Sequence, residues 1–227
     1  MDLTSAPTRI LEVRRLGVIG YAEGLALQQS LVEARKAGSI PDQLLLLEHP
    51  PVITLGVKTR NDRGHIIASE DLLTSRGVKV FETGRGGDVT YHGPGQLVGY
   101  PIIDLKPDRC DVHRYVRDLE EVLILTAAAF GVEAGRYPGL TGVWVGQDKL
   151  AAIGVRISRW VTSHGFALNV TTDLSHFDFI IPCGIVGRGV TSFQKLLGRS
   201  IEIGQVESAV TDAFARVFHS SVSASEQ

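Results

Sequence analysis

Hydrophobic residues recur at helical spacing in three stretches of the chain. In residues 21–37 the apolar positions fall every three or four residues and Gly38 follows, which predicts an amphipathic helix with a glycine at its C-terminal end. Residues 111–130 show the same spacing, with an aspartate placed to cap the first turn and a glycine directly after the last. Residues 206–218 predict a final helix.

Two shorter helices are predicted from their end signals. Residues 69–75 stop before Gly77, and the Thr-Ser-Phe-Gln sequence of residues 191–194 fits a capping box that opens a helix to Leu197. Beyond the final helix, residues 219–227 predict a frayed tail.

Short apolar runs between turn residues predict strands, since they are too short for helices. Gly99 and Pro101 would favour an edge position or a bulge for the strand that contains them. Gly146-Gln147-Asp148 suits a hairpin turn, and residues 162–165 are expected to separate the last two strands. The predicted strands are residues 10–16, 44–47, 52–55, 78–81, 97–103, 143–145, 149–157 and 166–170.

Strands and helices occur in clusters and do not alternate strictly. This order predicts an α+β fold with a mixed, largely antiparallel sheet and flanking helices. The 227 residues suit a single domain. Its core is expected over residues 10–218, with residues 219–227 as a flexible tail.

The balance of charges argues against a nucleic-acid partner. The chain has 23 basic and 25 acidic side chains and a net charge of -2, whereas phosphate binding usually needs a basic excess. Basic residues at Lys58, Arg60 and Arg63, or at Arg156 and Arg159, could meet an acidic protein partner, although solvated surface charge is the favoured explanation. With no signal peptide and no run of about 18 apolar residues, we expect a cytoplasmic protein without a membrane partner.

The two cysteines, Cys110 and Cys183, are expected to be thiols in a reducing compartment. The histidines and cysteines lack the spacing of a zinc site, so we expect no metal and no cofactor. Cys110 precedes a helix among charged residues and receives no role.

The segment of residues 84–96 has five glycines in thirteen positions. Glycine lets backbone amides approach a ligand closely. The segment matches neither of the common glycine-rich phosphate motifs. A long loop of this kind is usually functional, and the alternative is an ordinary surface loop.

Pro182-Cys183-Gly184 follows an apolar pair, and a cysteine there is often an inert core residue. The flanking proline and glycine could instead present its thiol at a strand end. A nucleophilic thiol needs a partner that favours the thiolate. His92, His164 and Lys149 are candidates, and sequence spacing cannot decide among them.

Four segments, in the same order, resemble the motifs of the lipoyl(octanoyl) transferases. They are the string R-G-G-D-V-T-Y-H-G-P-G-Q at residues 85–96, residues 142–154 with Lys149, H-G-F-A-L-N at residues 164–169, and Pro182-Cys183-Gly184. The resemblance covers about residues 10–218, and the first string is highly specific.

The resemblance implies a single catalytic domain with the fold of biotin and lipoate protein ligases. It also implies octanoyl transfer from octanoyl-acyl carrier protein, through a cysteine thioester, to a lysine amine on lipoyl domains of 2-oxoacid dehydrogenases and the glycine cleavage H protein. A monomer is the family's default. By the same resemblance Cys183 carries the acyl group and Lys149 lowers the pKa of its thiol. The implied substrate-binding residues are Arg85, Gly86, Gly87, Asp88, Val89, Thr90, Tyr91, His92, Ala152, Ile153, Gly154, Gly165, Phe166 and Ala167.

The expected chemistry also needs oxyanion donors and an apolar slot. Backbone amides near Cys183 and Gly184, or those of the glycine-rich segment, are the hypothesis for the donors. An eight-carbon tail would bury around seven methylene-type groups at about 0.8 kcal/mol each. Wall residues of the slot, or alternatively core residues, are Leu97, Val143, Val155 and Leu168.

Two other functions compete with acyl transfer. An ATP-dependent lipoate or biotin ligase would share the fold and would need no cysteine nucleophile. A non-catalytic module could bind lipoyl domains or their acyl cargo without consuming a thioester. ATP dependence separates the first from a transferase, and donor consumption separates the second.

Overall fold

The computed structural model describes residues 9–59, 63–181 and 188–224. In this part of the chain, the strands form one sheet of eight strands and one of three. Their bounds are β1 Arg9–Val18, β2 Asp42–Glu48, β3 Val52–Leu55, β4 Lys79–Glu82, β5 Thr90–His92, β6 Gln96–Ile102, β7 Gly135–Tyr137, β8 Leu140–Val145, β9 Asp148–Ser158, β10 Val161–Asn169 and β11 Ser220–Ala224.

The helices accompany these strands on both sides of the larger sheet. The α-helices are α1 Tyr21–Lys36, α2 Glu70–Ser75, α3 Val112–Ala129, α4 Phe193–Leu197 and α5 Ile203–Phe218, and 3₁₀ helices span Val57–Thr59 and Leu174–Phe179. None of the helices in the described ranges is long and apolar enough to cross a membrane.

The larger sheet has the order β11-β1-β2-β6-β10-β9-β8-β7. Strand β1 runs parallel to both β2 and β11, and the other neighbours in this sheet are antiparallel. The smaller sheet, β4-β3-β5, has one parallel and one antiparallel pair. The α+β fold with a mixed, largely antiparallel sheet is therefore confirmed.

Strand β2 shows how the larger sheet separates two hydrophobic cores. Leu44 and Leu46 pack in the cluster that includes α3 and α5, whereas Leu45 and Leu47 pack in the cluster that includes α1. Alternate side chains of a strand point to opposite faces. A run of four leucines is therefore suited to a central strand covered on both sides.

Most predicted elements are confirmed within one to three residues at each end. Asp111 caps α3 by accepting hydrogen bonds from the backbone amides of His113 and Arg114 at 2.8 and 3.1 Å. Gly38 and Gly131 follow α1 and α3 with φ of 71° and 76°, which glycine adopts without steric cost.

The edge position considered for β6 is wrong, because β6 lies between β2 and β10 in the middle of the sheet. Its ladder with β10 covers Gln96–Gly99, and Pro101 lies beyond the end of that ladder. The missing N–H of proline therefore leaves no gap in the pairing. Gly99 is required because a Cβ atom there would overlap the ring of Phe166.

The prediction that residues 162–165 separate two strands is also wrong, since these residues lie inside β10. The chain turns at Arg159 and Trp160, which have φ of 53° and 69°. A two-residue hairpin needs positive φ, and glycine or asparagine usually provides it. The sequence gives no such signal here.

Two end predictions need correction. The frayed tail is wrong over Ser220–Ala224, because these residues form β11 alongside β1. The cap of α4 is Ser192, one residue later than the capping box implied, and its hydroxyl accepts from the Lys195 amide at 3.2 Å.

Candidate active site

A cavity of about 470 Å³ lies between the larger sheet, the smaller sheet and the first turns of α1 and α3. Its wall contains nearly all of the described residues that the sequence indicated. These are Lys149, Arg85, Gly86, Gly87, Asp88, Val89, Thr90, His92, Ala152, Ile153, Gly154, Gly165, Phe166 and Ala167.

Two of the indicated segments are neighbours on adjacent strands. Ala152 on β9 lies opposite Ala167 on β10, and Gly154 lies opposite Gly165. A Cβ atom on Gly165 would overlap the carbonyl oxygen of Gly99. Small residues therefore let the backbone itself form this part of the cavity floor.

The glycine-rich segment is fixed by backbone hydrogen bonds to β9 and to the 3₁₀ helix that follows β3. The Gly86 amide donates to the Val155 carbonyl of β9 at 2.9 Å, and the Lys58 amide donates to the Gly87 carbonyl at 3.1 Å. A side chain on Gly56 would collide with the Gly87 carbonyl, so this close backbone contact needs glycine. The segment is thus an ordered wall of the cavity.

Arg85 is buried, with 7% of its surface exposed. Its guanidinium donates to the Thr54 carbonyl at 2.6 Å and to the Thr54 hydroxyl at 2.9 Å. A guanidinium stays charged at any physiological pH. Arg85 therefore joins β3 to the glycine-rich segment and places a positive charge beside the cavity.

Asp88 also stabilises the conformation of the glycine-rich segment. Its Oδ1 accepts from the Val89 amide at 2.6 Å and lies 2.8 Å from Nδ1 of His65. The His65 carbonyl in turn accepts from the Ile181 amide at 2.8 Å. His65 thereby connects the glycine-rich segment to the residue that precedes Pro182.

His92 is held as a neutral imidazole in a buried network. Its Nδ1 lies 2.8 Å from Oε1 of Gln96, whose Nε2 donates to Asn169 Oδ1 at 2.9 Å and to the Tyr91 carbonyl at 3.2 Å. Since the Gln96 amide nitrogen is used as a donor, the His92 Nδ1 carries the proton. Burial lowers the pKa of His92 to about 3.

His49 and Tyr100 form a second buried pair. Nδ1 of His49 donates to the Ile19 carbonyl at 2.8 Å, so the Tyr100 hydroxyl donates to Nε2 at 2.7 Å. Burial lowers the pKa of His49 and raises that of Tyr100. Tyr21, at the start of α1, stands beside them, and burial raises its pKa to about 12.

His164 lies in β10 with φ of 56°, a conformation that non-glycine residues rarely adopt inside a strand. Its backbone amide donates to Oε1 of Gln28 on α1 at 2.7 Å. Burial, with the charge of Arg85 nearby, lowers the pKa of His164 to about 4. The three histidines are therefore uncharged at neutral pH, and His92 and His164 contribute polar groups to the cavity wall.

Lys149 is the second residue of β9 and lines the same cavity. Its backbone amide donates to the Gly189 carbonyl, and its carbonyl accepts from the Thr191 amide, both at 3.0 Å. Its Nζ lies 4.8 Å from the centre of the Trp144 ring. The sequence had offered Lys149, His92 and His164 as possible partners of a thiol, and all three line the same cavity.

Cys183 lies outside the described residues, as do Pro182 and Gly184. Of the described residues on either side, Ile181 is hydrogen-bonded to His65, and Gly189 is hydrogen-bonded to Lys149. Both ends of this stretch of chain are thus attached to residues that border the cavity or support its wall.

Not every residue that the sequence indicated lies on the cavity wall. The ring of Tyr91 is directed into the core of the smaller sheet and stacks on His176, with ring centres 5.0 Å apart. Of the suggested wall residues, Val155 lines the cavity, whereas Leu97, Val143 and Leu168 are fully buried in the main core. Cavity residues that the sequence did not indicate include Tyr21, Tyr100, Val112, Val116 and Leu140.

The acid and imidazole groups show no metal centre. In the described ranges, no three or more histidine, cysteine, aspartate or glutamate side chains are grouped so that they could hold a metal ion. Hydrogen bonding and burial therefore account for the arrangement of the histidines on the cavity wall.

The fold is that of lipoate and biotin protein ligases. A lipoate-protein ligase A bound with ATP superposes with a TM-score of 0.72 and 16% identity, covering 97% of this chain and 90% of that one. A bipartite lipoate protein ligase from Thermoplasma acidophilum gives 0.69 and 18%, over 97% and 86%. The biotin protein ligase of Aquifex aeolicus gives 0.52 and 12%, over 91% and 70%.

Sequence relatives are more specific. The octanoyltransferases of Solibacter usitatus and Rubrobacter xylanophilus are each 56% identical, over 91% of this chain and 92% and 93% of their own lengths. The octanoyltransferase of Myxococcus xanthus is 52% identical over 92% of this chain, which spans 60% of that relative.

The sequence profile of the lipoyl protein ligase A/B catalytic domain matches residues 20–215. The chain belongs to this family, and its relatives place it among the acyltransferases.

Proposed function

We propose that this chain transfers an octanoyl group from octanoyl-acyl carrier protein to the ε-amine of a lysine on a lipoyl domain, through a thioester on Cys183. The observation that carries the proposal is the convergence on one cavity of Lys149, the glycine-rich segment and the paired residues of β9 and β10. The described residues that flank the Cys183 segment are hydrogen-bonded to Lys149 on this wall and to His65, which contacts Asp88.

In the first step the thiol proton of Cys183 moves to the Lys149 amine, and the thiolate attacks the carbonyl carbon of the donor thioester. The tetrahedral intermediate collapses by breaking the bond from that carbon to the pantetheine sulfur. Lys149 returns the proton to the leaving thiolate. The products are an octanoyl thioester on Cys183 and free carrier thiol.

In the second step the neutral amine of the acceptor lysine attacks the Cys183 thioester. Lys149 accepts a proton from the attacking nitrogen, and the bond from the carbonyl carbon to Sγ breaks. The proton then returns to the cysteine, and an amide is left on the acceptor. Two protein substrates are thus used in turn, so they need not be aligned on the enzyme together.

The cavity has a size and lining that suit an octanoyl thioester. Its volume of about 470 Å³ lies in the usual range for small-molecule sites. Val112, Val116, Leu140 and Val155 offer apolar wall for the acyl chain. The neutral imidazoles of His92 and His164 and the side chains of Tyr21 and Tyr100 add polar groups to the same wall.

The cytoplasmic location is proposed from the sequence, and the donor, the acceptors and the monomeric form are proposed from the family. These assignments are octanoyl-acyl carrier protein as donor, lipoyl domains of 2-oxoacid dehydrogenases and the glycine cleavage H protein as acceptors, the cytoplasm as location, and a monomer as the working form.

Intact mass spectrometry tests the covalent step. Mixing the protein with octanoyl-acyl carrier protein should add one octanoyl mass, which hydroxylamine removes. The adduct should be absent in Cys183→Ser and present in Cys110→Ser, the matched control at the exposed second cysteine. Normal transfer to a lipoyl domain with no adduct at any time would disprove the covalent route.

Two further arms separate the competing functions. Transfer that requires ATP and survives Cys183→Ala would make the protein a ligase. Binding of lipoyl domains without any loss of donor thioester would make it a binding module.

The role of Lys149 has a separate test. Lys149→Ala should shift the pH profile of Cys183 alkylation by iodoacetamide to higher pH, and an unchanged profile would remove that role.

A further inference from the structure

Two aromatic rings beside the cavity each contact a cationic side chain. Trp144 of β8 and Tyr137 of β7 have ring centres 5.7 Å apart. The Nζ of Lys149 lies 4.8 Å from the centre of the Trp144 ring. The Cζ of Arg188 lies 3.8 Å from the centre of the Tyr137 ring and 5.8 Å from that of Trp144. The three cation-to-ring distances are within the range of cation–π attraction.

The strand register places Trp144 beside Lys149. Trp144 and Lys149 lie opposite each other in the hairpin of β8 and β9, and the register shifts between Val143 and Trp144. Directly opposed residues of an antiparallel pair are close enough for their side chains to interact. The irregularity locally redirects side chains, as such features do near active sites.

Within the described ranges, the Trp144 indole is positioned by ring contacts and not by a hydrogen bond. Trp144 is 4% exposed, and among the described residues no acceptor meets its buried Nε1–H. A buried indole N–H normally has a partner, because leaving it without one costs free energy. The contacts of Trp144 with its polar neighbours are instead made by the ring, which faces the Lys149 ammonium and the Arg188 guanidinium.

We propose that Trp144 is a positioning residue for acyl transfer, which holds the Lys149 ammonium at the cavity wall and stabilises the charge that Lys149 gains from Cys183. The inference rests on the proposed roles of Lys149 and Cys183. It adds a residue outside the cavity lining that acts through Lys149.

The physical basis is the quadrupole of the ring. An indole face attracts an ammonium group much more strongly than a neutral amine. When the S–H bond of Cys183 breaks and a new N–H bond forms on Nζ, positive charge appears over the ring. The ring thereby stabilises the ammonium–thiolate pair, which is the reactive state of the enzyme.

Tyr137 and Arg188 support the same arrangement from the other side. Arg188 begins the described chain after residues 182–187, and the next residue, Gly189, accepts the backbone hydrogen bond of Lys149. The aromatic pair therefore contacts both the proposed base, Lys149, and Arg188, in the chain that follows the Cys183 segment.

Fluorinated tryptophan tests the ring face without changing its shape. In a Cys110→Ser, Trp160→Phe protein, Trp144 is the one tryptophan and Cys183 the one cysteine, since the sequence has two of each. Successive fluorination weakens the quadrupole. The rate constant of octanoyl transfer onto Cys183, followed by quenched intact mass spectrometry, should fall stepwise, by about tenfold for the trifluorinated ring.

Side-chain variants give the matching contrast. Trp144→Leu should slow the same step by about tenfold or more, and Trp144→Phe should restore most of the rate because it keeps an aromatic face. Phe218→Leu is the matched control, because Phe218 is a buried ring under Arg109, 5.0 Å from its Cζ, and lies off the cavity wall. Its loss should lower stability and leave the rate of Cys183 acylation unchanged.

A double-mutant comparison distinguishes failure of this inference from failure of the proposed function. In Lys149→Ala protein, Trp144→Leu should cause no further slowing. If the rate is constant across the fluorinated series while Lys149→Ala is slow, Trp144 has no such role and the function of Lys149 stands. If Lys149→Ala itself acylates at the normal rate, both assignments are overturned.

Discussion

Gly99 of β6 lies directly opposite Phe166 of β10, and the absence of a side chain makes room for the phenyl ring. Phe166 is 3% exposed and also lines the cavity. A single hydrogen atom at position 99 therefore supports both the packing of the sheet and the shape of the site.

Gly99→Ala should lower the free energy of unfolding by about 1–3 kcal/mol, because a methyl group there must displace a packed ring. Chemical denaturation measures the change. Gly204→Ala is the matched control, since nothing lies within 4 Å of a Cβ built at that helical position. It should be neutral or stabilising by up to about 1 kcal/mol. Equal effects of the two changes would contradict the packing explanation.

At the residue scale, the sequence motifs indicate most of the cavity wall but not what each residue does there. Arg85 and Asp88 belong to the most specific string, and the structure shows both holding backbone and neighbouring side chains. The contact of Asp88 with His65 spans 23 residues. No local pattern reveals such a partner, because it depends on how two loops meet in space.

Among the elements, the β9–β10 hairpin has an unusual turn, since Arg159 and Trp160 both adopt positive φ. Replacing them with Asn-Gly should raise the free energy of unfolding by about 1 kcal/mol, because these residues accept the left-handed conformation with less strain. Denaturation of the double variant measures the gain.

Gln147→Gly in the β8–β9 hairpin is the control for that change. Gln147 is not among the residues with positive φ, whereas Gly146 before it has φ of 59°. Glycine at position 147 should therefore bring no gain and a small loss through chain entropy. A gain at position 147 equal to that of the Asn-Gly turn would show that backbone strain is not the cause.

Elements with local signals could be predicted from the sequence, and those defined by distant pairing could not. The aspartate before α3 and the glycine after it mark both of its ends in the sequence. Strand β11 has the composition of a tail, and only its pairing with β1 makes it a strand. The opposition of Trp144 and Lys149 likewise depends on a register shift that hydrophobic periodicity does not report.

For the molecule as a whole, the buried histidines predict a loss of stability in mild acid. Unfolded histidine has a pKa of about 6.5, and burial holds the pKa of His92 and His164 at about 3 and about 4. Below about pH 6.5 the unfolded chain therefore binds protons that the folded chain does not. Linkage makes the free energy of unfolding fall by about 2 kcal/mol for each of them between pH 7 and pH 5.

His164→Asn tests this pH dependence, because asparagine tolerates the left-handed backbone and does not titrate. Its free energy of unfolding should decline less between pH 7 and pH 5 than that of the wild type. His113→Gln, at an exposed position on α3, should decline as the wild type does. Parallel declines of the wild type and His164→Asn would exclude His164 as a source.

The cavity wall takes residues from both sheets, with Val89 and Thr90 from the side of the smaller sheet and Ala152 and Ala167 from the larger. Any molecule that fills the cavity consequently acts as a non-covalent crosslink between two separately packed cores. Its binding free energy adds to the cohesion of the whole chain by mass action. An occupied enzyme should resist heat and proteolysis in both sheets at once, including strands that never touch the ligand.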